Sequence, residues 1–405
     1  MQKPSRDSVP RARALFLSPE APYPAVGGGA LRSASVFEFL AQHFDVDAIV
    51  FRTETQPDPT PAGAARTLVL RLPTHRKDAF SRALRNSVRL LRRTPPLVDR
   101  FSGFECEIAA FVDQQRYDVA ILEHFWSAPY CRQIAGHTRQ ILLNLHNIES
   151  TWHARLAKLE SGMTSIALRR FAEASGRLER ELLPRFSGIL VTSPEDARTV
   201  REIVPAARAI LYPNSIPELP APKRVEEETI IFTGNMEYRP NQSAVAFFAR
   251  QVWPLLRARW PALQWRIAGR NPEAIRKLAG ADARIAVTGP MENAVLELAK
   301  AKVAVVPVLT GSGTRVKILE AWAAATPVVS TPLGAEGLPV IDGQHLLLAG
   351  DATAFADAVS ALLSSETLRL KIGAAGRRLY EEQFTWNAAW RVLERELCLT
   401  PYTGN

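Results

Sequence analysis

The sequence has few cysteines and no long apolar run. Its three cysteines, Cys106, Cys131 and Cys398, lie far apart and form no CxxC pair. That spacing excludes a disulfide framework and a zinc site, so we expect a reducing, cytoplasmic compartment. No stretch approaches the roughly 18 consecutive apolar residues that a membrane-spanning helix needs. The apolar run ALFL near the first residue is too short for the core of a signal peptide.

The composition is that of a folded, basic protein. Hydrophobic residues make up 47% of the 405 residues and charged residues 22%, which excludes collagen-like, coiled-coil and disordered classes. The length favours two or three domains, because single cores rarely grow beyond about 250–300 residues. The 50 Lys and Arg residues outnumber the 41 Asp and Glu residues, and the net charge of +9 favours an anionic partner such as a nucleotide, a lipid surface or a nucleic acid.

Continuous apolar runs alternate with amphipathic helical patterns along the chain. Strands that are buried on both faces of a parallel sheet have such runs, so the alternation predicts an α/β fold with doubly wound parallel sheets. The predicted strands are 13–18, 46–51, 67–72, 119–124, 140–146, 188–193, 209–213, 229–234, 264–269, 285–289, 303–308, 327–331 and 345–350. The main predicted helices are 30–43, 104–115, 151–183 and 366–397, the last broken near Phe384.

A proline-rich segment interrupts this alternation at 213–223. Its sequence, PNSIPELPAPK, has four prolines in eleven residues and cannot continue a helix or a central strand. We therefore predict two Rossmann-like domains, at 1–213 and 224–383, joined by a linker at 214–223 and followed by a helix in 384–405. Ligands of such sheets bind beyond the carboxyl ends of the strands, so the loops there are the candidate sites.

The segment 303–338 carries the strongest candidate site. A predicted buried strand leads into a loop with two glycines, and a helix is expected to follow. Free amides at a glycine loop and a helix start can hold a diphosphate. Arg315 and Lys317 stand in the first helical turn, where cations are unfavourable unless they face an anion. The loop residues are Gly311, Ser312, Gly313 and Thr314.

Glu320 follows Lys317 by three residues, so both belong to one face of the predicted helix. A carboxylate there can accept hydrogen bonds from the two hydroxyls of a ribose. The alternative is a salt bridge between Glu320 and Lys317 on the surface, a common and weak pairing.

Loops in the first half of the chain offer further candidates. The glycines at 27–29 follow the first strand and open a helix, so Gly28 and Gly29 can approach a ligand and present amides to an anion; the alternative is an ordinary turn. His146, the first residue of HNIES, lies at the end of a predicted strand, where an imidazole can orient a sugar hydroxyl or an acceptor. The alternative there is a helix start capped by Asn147 or Ser150. The Glu-His pair at 123–124 ends the preceding strand in the same way, and we weigh it less.

The segment FTGNMEYRPNQS follows the first strand of the second half. Gly234 and Asn235 form a predicted turn there, and Arg239 comes just before a helix. Contact with a ligand and a purely structural loop, with Asn241 or Ser243 as the helix cap, are both compatible with this pattern.

Residues 76–93 are predicted to form a basic amphipathic helix. Its apolar stripe consists of Phe80, Leu84, Val88 and Leu91. Its other side carries Arg82, Arg85, Arg89 and Arg92. This pattern suits the surface of an anionic membrane. The alternative is a helix that packs its stripe on the core and leaves its basic face in solvent.

Taken together, these motifs resemble retaining glycosyltransferases of the GT-B fold, specifically family 4, also called glycosyltransferase group 1. The resemblance extends over essentially the whole chain. It rests on the glycine loop at 27–29, HNIES, VTSPED, YPNS, FTGNMEYRPN and GSGTRVKILEAWAAATPVVSTPLGAEGL. It implies two domains that face a central cleft, the second for a nucleoside-diphosphate sugar and the first for the acceptor. It also implies that no metal or cofactor is needed and that the C-terminal helix returns to the first domain.

The resemblance assigns roles to particular residues. Glu320 falls on the second Glu of the family's Glu-x7-Glu motif, which binds the ribose. Gly313 falls on the glycine after the first Glu, in the loop near the donor phosphates and sugar. His146 lies near a histidine that contacts the transferred sugar. Gly28 and Gly29 correspond to a glycine loop that faces the donor phosphate.

Three positions depart from the family pattern. Ser312 stands where the first Glu of the motif is expected, and the usual Arg and Lys fall on Asn235 and Pro240. Our hypothesis is that the positive charge has moved to Arg315 and Lys317, beside the same phosphate pocket. A sub-branch of the family with GxGTRxKxLEA has this arrangement.

We therefore expect a retaining, hexosyltransferase-type enzyme that moves a sugar from a nucleoside diphosphate to a hydroxyl of a glycan or lipid-linked acceptor. Its expected role is cell-surface polysaccharide or glycolipid synthesis, in the cytoplasm or at the inner face of the membrane. His146, Ser312 and Glu320 are the expected catalytic residues. The alternatives are a nucleotide-sugar 2-epimerase and a binding protein without turnover. A nucleic-acid partner is not expected, because the chain lacks interleaved aromatic and basic residues.

Overall fold

The structure is a computed structural model that describes residues 11–25, 27–53, 61–75, 78–280, 282–310 and 316–398. These residues fall into two compact units. The first unit contains the residues up to Tyr212 together with those from Val392, and the second is Pro213–Arg391. Each unit has its own parallel sheet.

A seven-stranded sheet forms the centre of the first unit. Its strands are β1 (Arg13–Ser18), β2 (Asp45–Arg52), β3 (Ala64–Arg71), β4 (Tyr117–Glu123), β5 (Thr138–Asn144), β6 (Gly188–Val191) and β7 (Ala209–Leu211). The spatial order is β3-β2-β1-β4-β5-β6-β7, with parallel pairing throughout. The order reverses between β1 and β4, so the loops after these two strands flank the place where such sheets bind ligands.

The helices of the first unit follow the strands in alternation. They are α1 (Gly28–His43), α2 (Ala79–Arg92), α3 (Pro96–Arg100), α4 (Glu105–Val112), α5 (Cys131–Ile134), α6 (Glu149–Leu159), α7 (Gly162–Leu182) and α8 (Pro194–Ile203). The prediction of one helix over 151–183 is wrong. The chain breaks at residues 160–161, and Gly162 has a φ of 59°, a left-handed conformation that glycine adopts without steric cost.

The second unit has a six-stranded parallel sheet. Its strands are β8 (Glu227–Thr233), β9 (Gln264–Ala268), β10 (Ile285–Thr288), β11 (Ala301–Val306), β12 (Val328–Ser330) and β13 (Leu347–Leu348). Its helices are α9 (Arg239–Phe247), α10 (Trp253–Arg259), α11 (Arg276–Ala279), α12 (Ala294–Lys300), α13 (Val316–Ala323), α14 (Ala352–Ser364), α15 (Glu366–Gln383) and α16 (Trp386–Glu396), whose last residues belong to the first unit. The order β10-β9-β8-β11-β12-β13 reverses between β8 and β11.

The central strands have the burial that continuous apolar runs predict. Residues 14–17 of β1 and 120–122 of β4 have no exposed surface. Burying a large aliphatic or aromatic side chain contributes about 1.5–3 kcal/mol, so these strands anchor the sheet rigidly. The predicted strands 119–124 and 140–146 end earlier, at Glu123 and Asn144. His124 and His146 therefore lie in the loops that follow β4 and β5, near the place where the strand order reverses.

The apolar stripe of α2 faces solvent, so the structure differs from a helix that packs on the core. Phe80 is 79% exposed, Leu84 57% and Leu91 83%. The helix begins at Ala79, after Asp78 accepts a hydrogen bond from the amide of Ser81. Residues 76 and 77 of the predicted helix and the side chain of residue 82 lie outside the described part. Among the described residues, no helix is long and apolar enough to cross a membrane.

Candidate functional site

A buried carboxylate organises the end of β4. Glu123 has no exposed surface, and its described hydrogen-bond partners include Ser33, Asn144 and His146. The hydroxyl of Ser33 donates to its Oε2 at 2.8 Å, and Nδ2 of Asn144 donates to Oε1 at 2.9 Å and Oε2 at 3.0 Å. Nε2 of His146 lies 2.8 Å from Oε2. Burial raises the pKa of Glu123, while the hydrogen bond from Asn144 opposes that rise.

Arg32 of α1 lies buried beside this carboxylate. Its Nε donates to Oδ1 of Asn144 at 2.8 Å, and its Nη1 donates to the backbone oxygen of Tyr212 at 2.6 Å. The guanidinium also lies 4.9 Å from the centre of the Tyr212 ring, close enough for a cation–π contact. Burial lowers the pKa of Arg32 to about 10, so Arg32 remains a cation at neutral pH beside Glu123.

Two stacked imidazoles lie at the same edge of the sheet. The rings of His124 and His146 have centroids 3.5 Å apart, and Trp126 stacks on His124 at 4.2 Å. Burial lowers the pKa of both histidines well below the usual value, so both rings are neutral at neutral pH. His124 also has a φ of 60°, a strained conformation for a residue other than glycine.

The first turn of α6 carries a second buried carboxylate. Glu149 accepts a hydrogen bond from Nε1 of Trp126 at 2.8 Å. Burial, and the nearby Glu179, raise the pKa of Glu149 to about 7. Ser150 does not cap the helix as the sequence allowed, because α6 begins before it; its amide donates to Glu179 at 3.0 Å instead.

The glycine loop brings α1 close to this cluster. The structure places Gly28 at the first and Gly29 at the second position of α1. A Cβ added to Gly29 would lie 3.5 Å from Nδ1 of His146 and 4.0 Å from Oε2 of Glu20. Gly29 and His146, which the sequence predicted as site residues, are therefore neighbours.

Close backbone packing shapes the corresponding edge of the second unit. Gly234 follows β8 and Gly269 follows β9. A Cβ at Gly269 would lie 1.8 Å from the carbonyl oxygen of Gly234, so only glycine fits there. A Cβ at Gly234 would lie 2.7 Å from Nδ2 of Asn241 and 3.4 Å from Nζ of Lys317. The turn after β8 is therefore packed directly against a polar pair.

That pair is Lys317 and Asn241. Nζ of Lys317 donates to Oδ1 of Asn241 at 2.7 Å and lies 4.4 Å from the centre of the Phe232 ring. Nδ2 of Asn241 donates to the backbone oxygen of Asn235 at 2.8 Å. The proposed capping roles of Asn241 and Ser243 are wrong, because α9 already begins at Arg239.

The remaining predicted residues of this edge have distinct environments. Burial raises the pKa of Glu320 to about 7, and the charge of Lys317 opposes the rise. Oδ1 of Asn235 accepts hydrogen bonds from the amide of Glu237 at 3.1 Å and from Nδ2 of Asn271 at 3.0 Å. The side chain of Arg239 is exposed.

The glycine-containing loop itself lies outside the described residues. The residues concerned are Gly311, Ser312, Gly313, Thr314 and Arg315. Both flanks of the loop lie beside α9. Oγ1 of Thr310 is 3.4 Å from Oγ of Ser243, and Lys317 contacts Asn241. The described residues on both sides of the loop therefore contact α9.

Sequence reasoning missed three members of the first-unit cluster: Ser33, Arg32 and Asn144. Asn144 carried a signal, because it is a polar residue within the apolar run ILLNL of the predicted strand. Arg32 and Ser33 carried none, because an arginine or serine in an amphipathic helix is expected to be exposed. Within the described residues, no group of three or more His, Cys, Asp and Glu side chains is arranged to hold a metal ion.

Two family models match most of the chain. The model described as glycosyl transferase 4-like domain matches residues 27–215. The model described as glycosyl transferases group 1 matches residues 227–365.

Individual proteins agree with these matches. The chain is 35% identical over 141 residues to a phosphatidyl-myo-inositol mannosyltransferase of Mycobacterium leprae, which covers 33% of this chain and 38% of that protein. Among solved structures, the sucrose-phosphate synthase from Thermosynechococcus elongatus superposes with a TM-score of 0.67 at 19% identity, covering 96% of this chain and 99% of that one. HepE of Anabaena in complex with UDP and glucose gives a TM-score of 0.64 at 13% identity, covering 96% and 100%. The shared fold of these structures is GT-B.

Proposed function

Because the chain belongs to the group 1 glycosyl transferases and is a glycosyltransferase with a GT-B fold, we propose that it transfers a sugar from a nucleoside diphosphate to a hydroxyl group with retention at the anomeric carbon. The observation that carries the proposal is the position of Lys317. Its ammonium group lies beside Gly234 and Asn241, at the switch point of the second sheet, where α/β sheets bind ligands.

The second unit would hold the donor. Lys317, the amides of the loop 311–315 and Arg315 would stabilise charge that develops on the diphosphate leaving group. Glu320 would accept hydrogen bonds from the ribose, and Asn235 and Arg239 would border the same turn. The position of Lys317 supports our hypothesis that the cations at 315 and 317 replace those absent from the loop after β8. No metal ion or cofactor takes part in the proposal.

The first unit would position the transferred sugar and the acceptor. His146 would hydrogen-bond a hydroxyl of the sugar, and Ser312 could do so from the donor side without supplying a carboxylate. The relative named a phosphatidyl-myo-inositol mannosyltransferase and the neighbour bound to UDP and glucose support a nucleotide-sugar donor and a lipid-linked or glycan acceptor. The corresponding role is cell-surface polysaccharide or glycolipid synthesis on the cytoplasmic side of the membrane.

The exposed stripe of α2 supports peripheral membrane binding. Three of its large apolar side chains are more than half exposed, and the same helix carries Arg85 and Arg92. Helix α2 packs against α7, where Met163 is 81% and Ile166 54% exposed. Apolar side chains on a basic surface insert between lipid headgroups while the arginines contact anionic lipids. Membrane binding would bring the enzyme to a lipid-linked acceptor.

Turnover tests the proposal. The protein is incubated with UDP-glucose, UDP-N-acetylglucosamine or GDP-mannose and a bacterial lipid extract, and both nucleotide release and the glycosylated product are measured. Retention predicts a product with the anomeric configuration of the donor, read by NMR from the one-bond coupling between C1 and H1. An inverted product would contradict the retaining mechanism. Release of UDP with a 2-epimerised free sugar would favour the epimerase, and binding without release would favour a protein without turnover.

A further inference from the structure

Two adjoining cavities lie between the end of α2 and helix α7. The larger has a volume of about 540 Å³ and the smaller about 300 Å³, and both are lined by Arg93, Ala174 and Arg177. We call the two cavities together the α2–α7 groove. Pockets that bind small organic ligands have volumes of about 300–1,000 Å³, so the groove is large enough for a lipid headgroup.

The α2–α7 groove carries an excess of positive charge. Its glutamates are already paired, Glu173 with Arg170 at 3.2 Å and Glu181 with Arg132 at 2.5 Å. Such exposed pairs are weak. Three further arginines line the groove, and within the described part of the chain no carboxylate forms an ion pair with them: Arg92, Arg93 and Arg177.

The helix dipole explains only part of this clustering. Arg92 is the last residue of α2 and Arg93 follows it, and cations are favourable at that end of a helix. Arg177 lies before the last turn of α7, where the dipole gives no such advantage, yet it lines the same two cavities. Cations that share a concave surface repel one another and raise the local positive potential, so an anion that binds among them is attracted to all three.

The base of the α2–α7 groove is apolar. Phe171 and Ala174 line the larger cavity and are buried, and Leu182 of the smaller cavity is buried as well. Leu91 also lines the larger cavity and is the most exposed side chain of the α2 stripe. A ligand with a phosphate at one end and hydrocarbon next to it matches this combination, because hydrocarbon covers the apolar side chains while the phosphate meets the arginines.

We propose that the α2–α7 groove binds the headgroup of a lipid with a terminal phosphate, either a phosphomonoester or a diphosphate, whose oxygens accept hydrogen bonds from Arg93 and Arg177. A planar guanidinium can donate to a phosphate through two parallel hydrogen bonds. Three unpaired arginines match the roughly two negative charges of a terminal phosphate better than the single charge of a phosphodiester. The inference rests on the proposed membrane binding of α2 and names the lipid chemistry that is recognised beside it.

Vesicles of matched charge test the groove. Co-sedimentation compares phosphatidylcholine vesicles that contain phosphatidic acid with vesicles that contain enough phosphatidylglycerol to give the same zeta potential. The wild type should bind the phosphatidic acid vesicles about tenfold more tightly, the effect of one charge-assisted hydrogen bond. In Arg93→Gln/Arg177→Gln the ratio of the two affinities should fall to about one.

Two further variants separate recognition from general charge. Arg198→Gln/Arg201→Gln removes two exposed arginines of α8, and thus the same charge, and should keep the wild-type ratio. Arg93→Lys/Arg177→Lys keeps both cations in the groove and should retain more of the ratio than the glutamine variant.

Soluble ligands distinguish a lipid from a free phosphate. Dihexanoyl phosphatidic acid, below the concentration at which it forms micelles, and inorganic phosphate are titrated into the protein by calorimetry. The lipid should bind at least tenfold more tightly than inorganic phosphate, and Arg93→Gln/Arg177→Gln should lose most of its affinity for the lipid. Equal affinities for the two ligands would assign the groove to free phosphate and overturn the lipid. A single-stranded DNA oligonucleotide that binds there more tightly than the lipid would overturn it as well.

The outcomes separate the groove from the proposed function. Equal binding of the wild type to the two kinds of vesicle overturns the inference and leaves membrane binding by α2 intact. A preference for phosphatidic acid that survives in Arg93→Gln/Arg177→Gln also overturns it. If the wild type binds neither kind of vesicle, the proposed membrane binding is wrong, and with it the headgroup site. None of these measurements involves the sugar donor, so glycosyl transfer is tested independently.

Discussion

The ammonium group of Lys317 is hydrogen-bonded to Oδ1 of Asn241 at 2.7 Å, although Lys317 stands in the first turn of α13. A cation at that end of a helix opposes the helix dipole, and the proposed function predicts that an anion binds beside it. If that anion is a diphosphate, Lys317→Ala removes a charged hydrogen bond worth about 1.5–3 kcal/mol. The affinity for the bound diphosphate should then fall roughly 10- to 100-fold, measured by isothermal titration calorimetry.

Arg315→Ala should also lower the affinity for the diphosphate. Lys277→Ala removes an exposed cation from α11 of the same unit and serves as the control. Unchanged affinity in both Lys317→Ala and Arg315→Ala would rule out a role of these cations in donor binding.

The close approach of Gly269 to Gly234 predicts a large loss of stability when a methyl group is added. In Gly269→Ala the new Cβ would lie 1.8 Å from the carbonyl oxygen of Gly234, so the backbone of one strand end must move. We expect unfolding to become easier by more than about 3 kcal/mol, beyond the usual range for single substitutions.

Gly289→Ala provides the matched control. The backbone oxygen of Gly289 accepts the hydrogen bond of the Gly269 amide, yet an added Cβ there meets nothing within 4 Å. Its stability should stay within about 0.5 kcal/mol of the wild type in urea unfolding. Equal effects of the two substitutions would contradict the packing described here.

The sequence predicted the strands well and the site only in part. Continuous apolar runs such as 14–17 and 120–122 are typical of a strand that is buried on both faces, and the structure confirms such strands there. The sequence could not show whether the apolar stripe of α2 is exposed. An amphipathic pattern is the same whether the stripe packs on the core or faces solvent.

The network around His146 was beyond sequence reasoning for another reason. Its members come from α1, β4 and β5, and only the strand order β1-β4-β5 brings Arg32, Glu123 and Asn144 together. Asn144 alone was recognisable as unusual, because its amide interrupts the apolar run ILLNL of the sequence. The tautomer of a histidine depends on such partners and cannot be read from spacing.

Glu149 makes the stability of the protein depend on pH. Its pKa is raised from 4.5 to about 7, so the folded state binds this proton more tightly than the unfolded state does. The free energy of unfolding therefore falls as the pH rises from about 4.5 to 7 and loses no more from this group above that range. Glu149→Gln removes the ionisable carboxyl group and with it this fall in the free energy of unfolding. The amide oxygen of the glutamine can still accept the hydrogen bond from Nε1 of Trp126.

We expect Glu149→Gln to be more stable than the wild type by up to about 3 kcal/mol at pH 8 and by less than about 1 kcal/mol at pH 5. Urea unfolding at the two pH values measures the difference. Glu202→Gln, at an exposed position of α8, should change stability little at either pH. A Glu149→Gln variant that is no more stable at pH 8 than the wild type would show that Glu149 is not destabilised by burial.

The surface of α2 predicts binding to anionic vesicles. The double variant Phe80→Ser/Leu91→Ser removes the two most exposed apolar side chains of the helix, at 79% and 83%, and should leave the fold intact. It should co-sediment less with vesicles that contain phosphatidylglycerol, because the remaining arginines contribute only an electrostatic attraction that salt screens.

The matched variant Leu296→Ser/Leu370→Ser changes two leucines that are 52% and 57% exposed in the second unit, and its binding should equal that of the wild type. If the wild type did not co-sediment with these vesicles at low salt, the proposal that α2 binds membranes would be wrong.

A thermal-shift screen against UDP, GDP, dTDP, ADP and CMP tests the central claim most directly, with Glu320→Ala as the companion variant. A ligand at 100 times its Kd adds about 2.7 kcal/mol to the free energy of unfolding, enough to raise Tm visibly. The account predicts that one diphosphate raises the Tm of the wild type and raises that of Glu320→Ala much less, because the ribose loses its acceptor. No shift with any of the five nucleotides would contradict the account.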